Sequence, residues 1–179
     1  MSRDELLFML GYAMLTDGLF LLFFAGANTG QMSRVIGRGQ LDHWMIQPVP
    51  LWMQFCTEGF SPVSGSGILL WGMGLFAWAA GRVGVAVTPL WLLLLLGSLA
   101  ASVILFLSCT TLVSCLAFFA PTAAEESASL VHAFFDSLKR YPLGGIKPLW
   151  QAFFCAILPV GLCGWFPALG LLGKAVFFP

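Results

Sequence analysis

Residues 89–120 read PLWLLLLLGSLAASVILFLSCTTLVSCLAFFA, a run without Asp, Glu, Lys, Arg or His. A helix needs about 20 mainly apolar residues to cross a hydrocarbon core of about 30 Å, and this run is longer than that. Backbone N–H and C=O groups find no water in lipid, so such a run must be helical. Three other stretches read the same way: Leu6 to Ala27, Pro62 to Ala80 and Leu149 to Leu172. With 59% of the 179 residues hydrophobic and 9% charged, and a mean hydropathy of +0.92, too little polar surface remains for a soluble globule. The expectation is an all-α, polytopic membrane protein forming a single domain over residues 1–179, with four spans plus an amphipathic or fifth membrane helix.

Charge and cysteine usage exclude other classes. Eight Lys and Arg balance eight Asp and Glu, so there is no basic stripe and no expected nucleic-acid partner. Cys56, Cys109, Cys115, Cys155 and Cys163 contain no Cys-x-x-Cys pair, and His43 and His132 lack ligand spacing to any of them. No disulfide framework and no metal site is expected. Ala25-Gly26-Ala27 resembles a signal-peptide cleavage site, but Asp4, Glu5 and Asp17 oppose that reading of the first run.

The polar segments carry the rest of the information. Asn28 to Ser61 mixes Arg34, Arg38, Asp42, His43 and Glu58 with Trp44, Met45, Ile46, Leu51, Trp52 and Phe55, and Pro48 and Pro50 divide it into two short pieces. Tryptophans favour the headgroup level, so this loop is expected to fold along the membrane surface. In Pro121 to Pro148, Leu130, Val131, Phe134, Phe135 and Leu138 recur at helical steps among six charges, as a surface helix or a weakly hydrophobic membrane helix. Pro142, Gly144, Gly145 and Pro148 then turn the chain back. Lys and Arg set orientation, and five of the eight, Arg34, Arg38, Lys139, Arg140 and Lys147, lie in these two loops. Both loops are thereby expected on the cytoplasmic side, with Met1 and Lys174 opposite.

Several residues have two readings. Asp17, inside the first apolar run, costs at least about 2.5 kcal/mol in hydrocarbon and must face protein or water. It is either a substrate-path or interface residue, or a carboxylate bonded to Thr16 or a neighbouring helix. Gly26 with Gly30, Gly97 with Ala101, and Gly164 with Ala168 have the small-xxx-small spacing of close helix packing. Ser64-Gly65-Ser66-Gly67 reads as a helix entry rather than a nucleophile, because His132 lies in another polar loop. Gly72-Met73-Gly74 lies inside a span, which excludes a dinucleotide site. Pro159 and Pro167 are expected to interrupt the last stretch and permit a re-entrant hairpin.

The string Ile36-Gly37-Arg38-Gly39-Gln40-Leu41-Asp42-His43-Trp44-Met45-Ile46-Gln47-Pro48-Val49 resembles a segment of the ABC-2-type permeases, in their uncharacterised-export branch. Arg140-Tyr141-Pro142-Leu143, Ile157-Leu158-Pro159-Val160, Phe166-Pro167-Ala168 and Leu171-Leu172-Gly173-Lys174 resemble that family's closing region. Gln40 stands where an acidic residue is common, and the family's first span and the segment before it have no counterpart, so an N-terminally short chain is expected. The resemblance implies a non-enzymatic transport subunit in the cell membrane of a bacterium, moving substrate outward as a homo- or heterodimer of permease chains. It implies that a separate ABC ATPase binds ATP and magnesium, with no cofactor on this chain and membrane lipid around it. It makes Arg38, Gly39, Gln40, Leu41, Asp42 and Pro48 the ATPase-coupling loop, where the residues alone read as an interfacial loop anchored by Trp44 and Trp52. Independently, Gly173-Lys174 is followed by Ala175 and lacks the phosphate-cradling pattern. The alternative is an ATP-independent secondary transporter or channel subunit.

Overall fold

The computed structural model describes residues 2–24, 35–57, 62–120, 126, 130, 133–143, 146–156 and 159–174, and among these there is helix and no strand. The first helix, α1 (Arg3–Phe24), is the central one. Ser2 and Glu5 start it by bonding reciprocally, Ser2 N–H to Glu5 Oε2 at 3.2 Å and Glu5 N–H to Ser2 Oγ at 3.3 Å. These bonds satisfy donors that a helix start leaves open, so Glu5, one of the acidic residues that argue against a leader, serves here in a cap. Phe8, Met9, Tyr12, Ala13, Leu15 and Phe20 of α1 are all buried.

A short hairpin follows, α2 (Leu41–Ile46) and α3 (Leu51–Thr57). Then come two long helices, α4 (Pro62–Val83) and α5 (Pro89–Ser114). Thr88 caps α5 by accepting from Trp91 N–H at 3.2 Å, and Pro89 occupies a position where its missing N–H costs nothing. Gly84, at φ 74°, provides the left-handed residue that ends α4.

The pairing of α1 with α4 organises the bundle. The two run antiparallel, with Gly11 opposite Phe76, Leu15 opposite Gly72, Gly18 opposite Leu69 and Leu22 opposite Gly65. A methyl group on Gly11, Gly18 or Gly65 would lie 2.8, 2.7 or 2.5 Å from the facing backbone, and one on Gly72 3.0 Å away. Each helix thus contributes two glycines seven residues apart to the seam, a period that keeps one stripe facing its partner. This seam differs from the small-residue pairs picked out in the sequence. Gly97 meets open space and Ala101 is exposed, Gly26 and Gly30 lie outside the described residues, and Gly164 and Ala168 are buried elsewhere, Gly164 against the Lys139 carbonyl.

Among the described residues, two helices, Arg3–Phe24 and Pro89–Val113, are long and apolar enough to cross a membrane. The outer face of α5 leaves Leu90, Leu93, Leu96, Ile104 and Leu112 at 61–71% exposure, a surface suited to hydrocarbon rather than water. The expected fourth span is not one helix. It divides into α6 (Pro148–Ala156), α7 (Val160–Cys163) and α8 (Trp165–Leu171). Pro159 precedes α7 and Gly164 separates α7 from α8. Pro167 interrupts nothing, because it falls in the first turn of α8, where no helical bond is lost. At the N-terminal end of α1, Lys174 pairs with Glu5 at 2.8 Å and Trp91 donates its indole N–H to Leu171 O at 2.9 Å.

Candidate functional site

Two polar constructions stand out against this apolar bundle. The first is the hairpin at the C-terminal end of α1. Val35, Ile36 and Gly37 are helical, and Arg38, Gly39 and Gln40 make an exposed turn. Gly39 has φ 69° and nothing within 4 Å of a would-be side chain, so backbone conformation alone demands glycine there. Gly37 is an ordinary helical residue. Asp42 and His43 are exposed on α2, Leu41 is half-buried, and Pro48 lies exposed in the bend before α3.

One side chain closes this hairpin. Gln54 of α3 is buried and donates from its amide nitrogen to Trp44 O at 3.1 Å and Val49 O at 2.9 Å. Those bonds tie the end of α2 and the bend to α3. They leave Met45, Ile46, Val49, Trp52 and Met53 exposed along one edge. Behind the hairpin, Ile36, Leu41, Leu51 and Trp52 face Thr111 and Phe118, the end of α5 and the turn after it, across an apolar pocket of about 480 Å³. The polar turn Arg38–Asp42 projects from the bundle end, while the apolar residues beside it face the helix ends or the outside. Arg34 and Glu58 of the same loop lie outside the described residues.

The second construction surrounds Asp17. Its carboxylate is buried in α1 and takes Lys139 on one oxygen and Arg140 on the other, the latter at 3.1 Å. Asp136 binds the same two cations, Lys139 at 2.8 Å and Arg140 at 3.0 Å. Asp136 belongs to a helical segment, 133–138, that ends just before the two cations. Its spacing to them, three and four residues, puts all three on one side of that helix end. Lys139 is 2% exposed, and its ammonium also sits 4.7 Å from the centre of the Phe106 ring.

The turn after 133–138 fits this place for a further reason. Gly164, between α7 and α8, admits the carbonyl of Lys139 so closely that a methyl group there would be 2.6 Å from its oxygen. The backbone break and the buried ammonium are therefore parts of one packing arrangement. Phe135, buried beside Phe20 and Phe106, anchors the helical segment above the turn. Leu143, 1% exposed, anchors the chain below it in the cluster of Phe8, Tyr12 and Trp165.

Of the residues marked in the sequence, Arg38, Gly39, Gln40, Leu41, Asp42 and Pro48 fall together on the hairpin. Asp17 lies elsewhere, seven residues or about 10 Å inside the end of α1. Thr16 is not its partner, since the Thr16 hydroxyl donates to Tyr12 O at 3.1 Å. The partners are Lys139 and Arg140, which the charge-bias reading counts as residues of a cytoplasmic loop. Ser66 donates to Val63 O at 3.1 Å in the first turn of α4, as a helix entry would have it, and His132 lies outside the described residues.

Sequence reasoning does not mark Gln54, Asp136, Lys139 or Arg140 as site residues; it reads the two cations only for orientation and, for Arg140, for the family resemblance. For the last three a signal existed: an acid inside a span needs a base, and Lys139-Arg140 immediately precedes the chain reversal at Pro142. For Gln54 there was none beyond an amide among apolar neighbours.

A protein-family model described as "ABC-2 family transporter protein" matches residues 1–178. No curated protein and no solved structure matches the chain.

Proposed function

Because the chain belongs to the ABC-2 family of transporter proteins, we propose that it is the membrane-spanning permease subunit of an exporter whose ATP hydrolysis resides on a separate subunit. The family is a membrane transport component, and transport rather than chemistry on a bound substrate is its business. In the proposed arrangement the cell membrane surrounds α1, α4, α5 and the broken C-terminal helices. A second permease chain, the same or related, completes the pathway. ATP and magnesium sit on the partner.

The observation that carries the coupling role is the α2–α3 hairpin. An exposed polar turn, Arg38 to Asp42, leads into a short helix whose far end Gln54 fastens to α3. A push on the turn would pass as a rigid-body displacement through α3 to the helix ends packed behind it. In this orientation the hairpin faces the cytoplasm and the Glu5–Lys174 end faces outward.

The test is purification of the tagged chain from its native membrane in mild detergent, with mass spectrometry of what accompanies it. An ABC ATPase in the eluate, lost when Asp42 is changed to Arg, is the expected result. Recovery of this chain alone, transporting in sealed vesicles without ATP, would overturn the reading in favour of a secondary transporter or channel.

A further inference from the structure

Neutrality at the Lys139 turn is reached only when two elements meet. The end of segment 133–138 brings Asp136, Lys139 and Arg140, a net charge of +1, and α1 brings Asp17, a net charge of −1. Each acid touches both bases, so the four charges form a closed square. If the elements separate, Asp136 still serves its own two cations three and four residues away. Asp17 retains no cation, on a helix whose one polar neighbour, Thr16, already donates its hydroxyl to Tyr12 O. The cost of separation therefore falls on Asp17, where an unpaired charge in a low-dielectric interior is most unfavourable.

Burial of the square is uneven. Asp17 and Lys139 are enclosed, at 7% and 2% side-chain exposure, whereas Asp136 and Arg140 stand at 36% and 45%. One edge is thus open to water or headgroups while the other is sealed under Phe106 and the Gly164 break. Between the buried anchors Phe135 and Leu143, residues 139–142 form a turn rather than a helix, so the turn can shift once the charges part without breaking a helix.

From this geometry we infer that the square is a latch between α1 and the 139–142 turn, closed in this structure, and that its opening is a step of the transport cycle. The second half of that statement rests on the permease reading above. Asp17 is the positioning residue of the latch, acting through Lys139 and Arg140 on the turn that carries them.

Cys163 is a built-in reporter. It is 1% exposed and packs in the same cluster as Phe106 and Phe135, so opening at Lys139 uncovers it. In a chain keeping Cys163 as its one cysteine, the measurement is the rate of maleimide labelling. Asp17→Asn is expected to raise that rate by roughly tenfold, as a shifted local-opening equilibrium would. Inverting all four charges together, Asp17→Lys and Asp136→Lys with Lys139→Asp and Arg140→Glu, keeps every contact of the square attractive and is expected to restore protection, which a merely steric role for Asp17 would not do. Labelling of Asp17→Asn at the parent rate overturns the latch. Should Asp17→Asn fail to fold, Arg140→Gln decides, because it leaves the Lys139–Asp17 pair intact: faster labelling supports the latch and an unchanged rate overturns it.

These arms need no ATPase and so stand apart from the permease reading. With the ATPase bound, ATP turnover is expected to speed labelling of the parent chain. An unchanged rate under turnover, or no ATPase to bind, removes the latch from the transport cycle and leaves it a static lock.

Discussion

Asp17 and Glu5 lie on the same helix, and each holds a lysine from the distant C-terminal part of the chain. Their surroundings make them unequal. Lys174 is 55% exposed, and a pair so open to solvent contributes from nothing to about 1 kcal/mol, less in salt. Glu5→Gln should leave the thermal midpoint in detergent nearly unchanged, whereas Asp17→Asn, which strands part of a buried network, should cost about 3–5 kcal/mol. Differential scanning fluorimetry of both variants checks this; equal shifts would mean that burial does not separate the two pairs. The need of Asp17 for a partner is legible in the sequence, since a carboxylate in an apolar run must be neutralised or hydrated. Which cation neutralises it is not, because Lys139 and Arg140 are more than a hundred residues away and read locally as part of a polar connection.

At the scale of elements, packing is decided by where glycines meet backbone. Gly18 faces Leu69 of α4 with no room for a side chain, while Gly74 on the same α4 has nothing within 4 Å. Gly18→Val should therefore force α1 from α4 and destabilise the bundle by about 1–3 kcal/mol or more, and Gly74→Ala should be neutral or slightly stabilising. Thermal unfolding of the two variants in detergent tests the register directly, since a Gly74→Ala as costly as Gly18→Val would mean that α4 turns another face to α1. Spacing along one helix cannot reveal such a seam. The seven-residue repeats 11/18 and 65/72 are visible in the sequence, but so are Gly67, Gly74 and Gly81, which face outward. Similar reasoning applies to the hairpin. Gln54→Leu removes two partly buried hydrogen bonds, each worth about 0.5–1.5 kcal/mol, and should expose residues 41–57 to limited proteolysis without altering membrane insertion. Protease resistance equal to the parent would show that the prolines alone hold the hairpin.

Across the whole molecule, the polar constructions lie at different depths: hairpin at one bundle end, charge square about 10 Å inside it, and the Glu5–Lys174 pair at the other end. Coupling should enter at the hairpin. Charge reversal at Asp42 and Met45→Pro should each abolish stimulation of the partner ATPase while insertion and dimerisation persist, because neither residue is buried. Met45 is the informative site for proline. Leu41 is the first residue of α2, where proline is accommodated without loss of a helical bond. Normal stimulation in both variants would remove the docking role. What the sequence alone determined is the class and the solvent: long uncharged runs leave helices in lipid as the only way to satisfy the backbone, and the motif order points to the family that matches residues 1–178. Tertiary structure alone decided which faces meet, that the last apolar stretch breaks into three short helices, and that Asp17 answers to Lys139 and Arg140. The physical reason is that hydropathy is a sum over local residues, whereas helix register and the neutralisation of a buried charge depend on groups brought together from opposite ends of the chain.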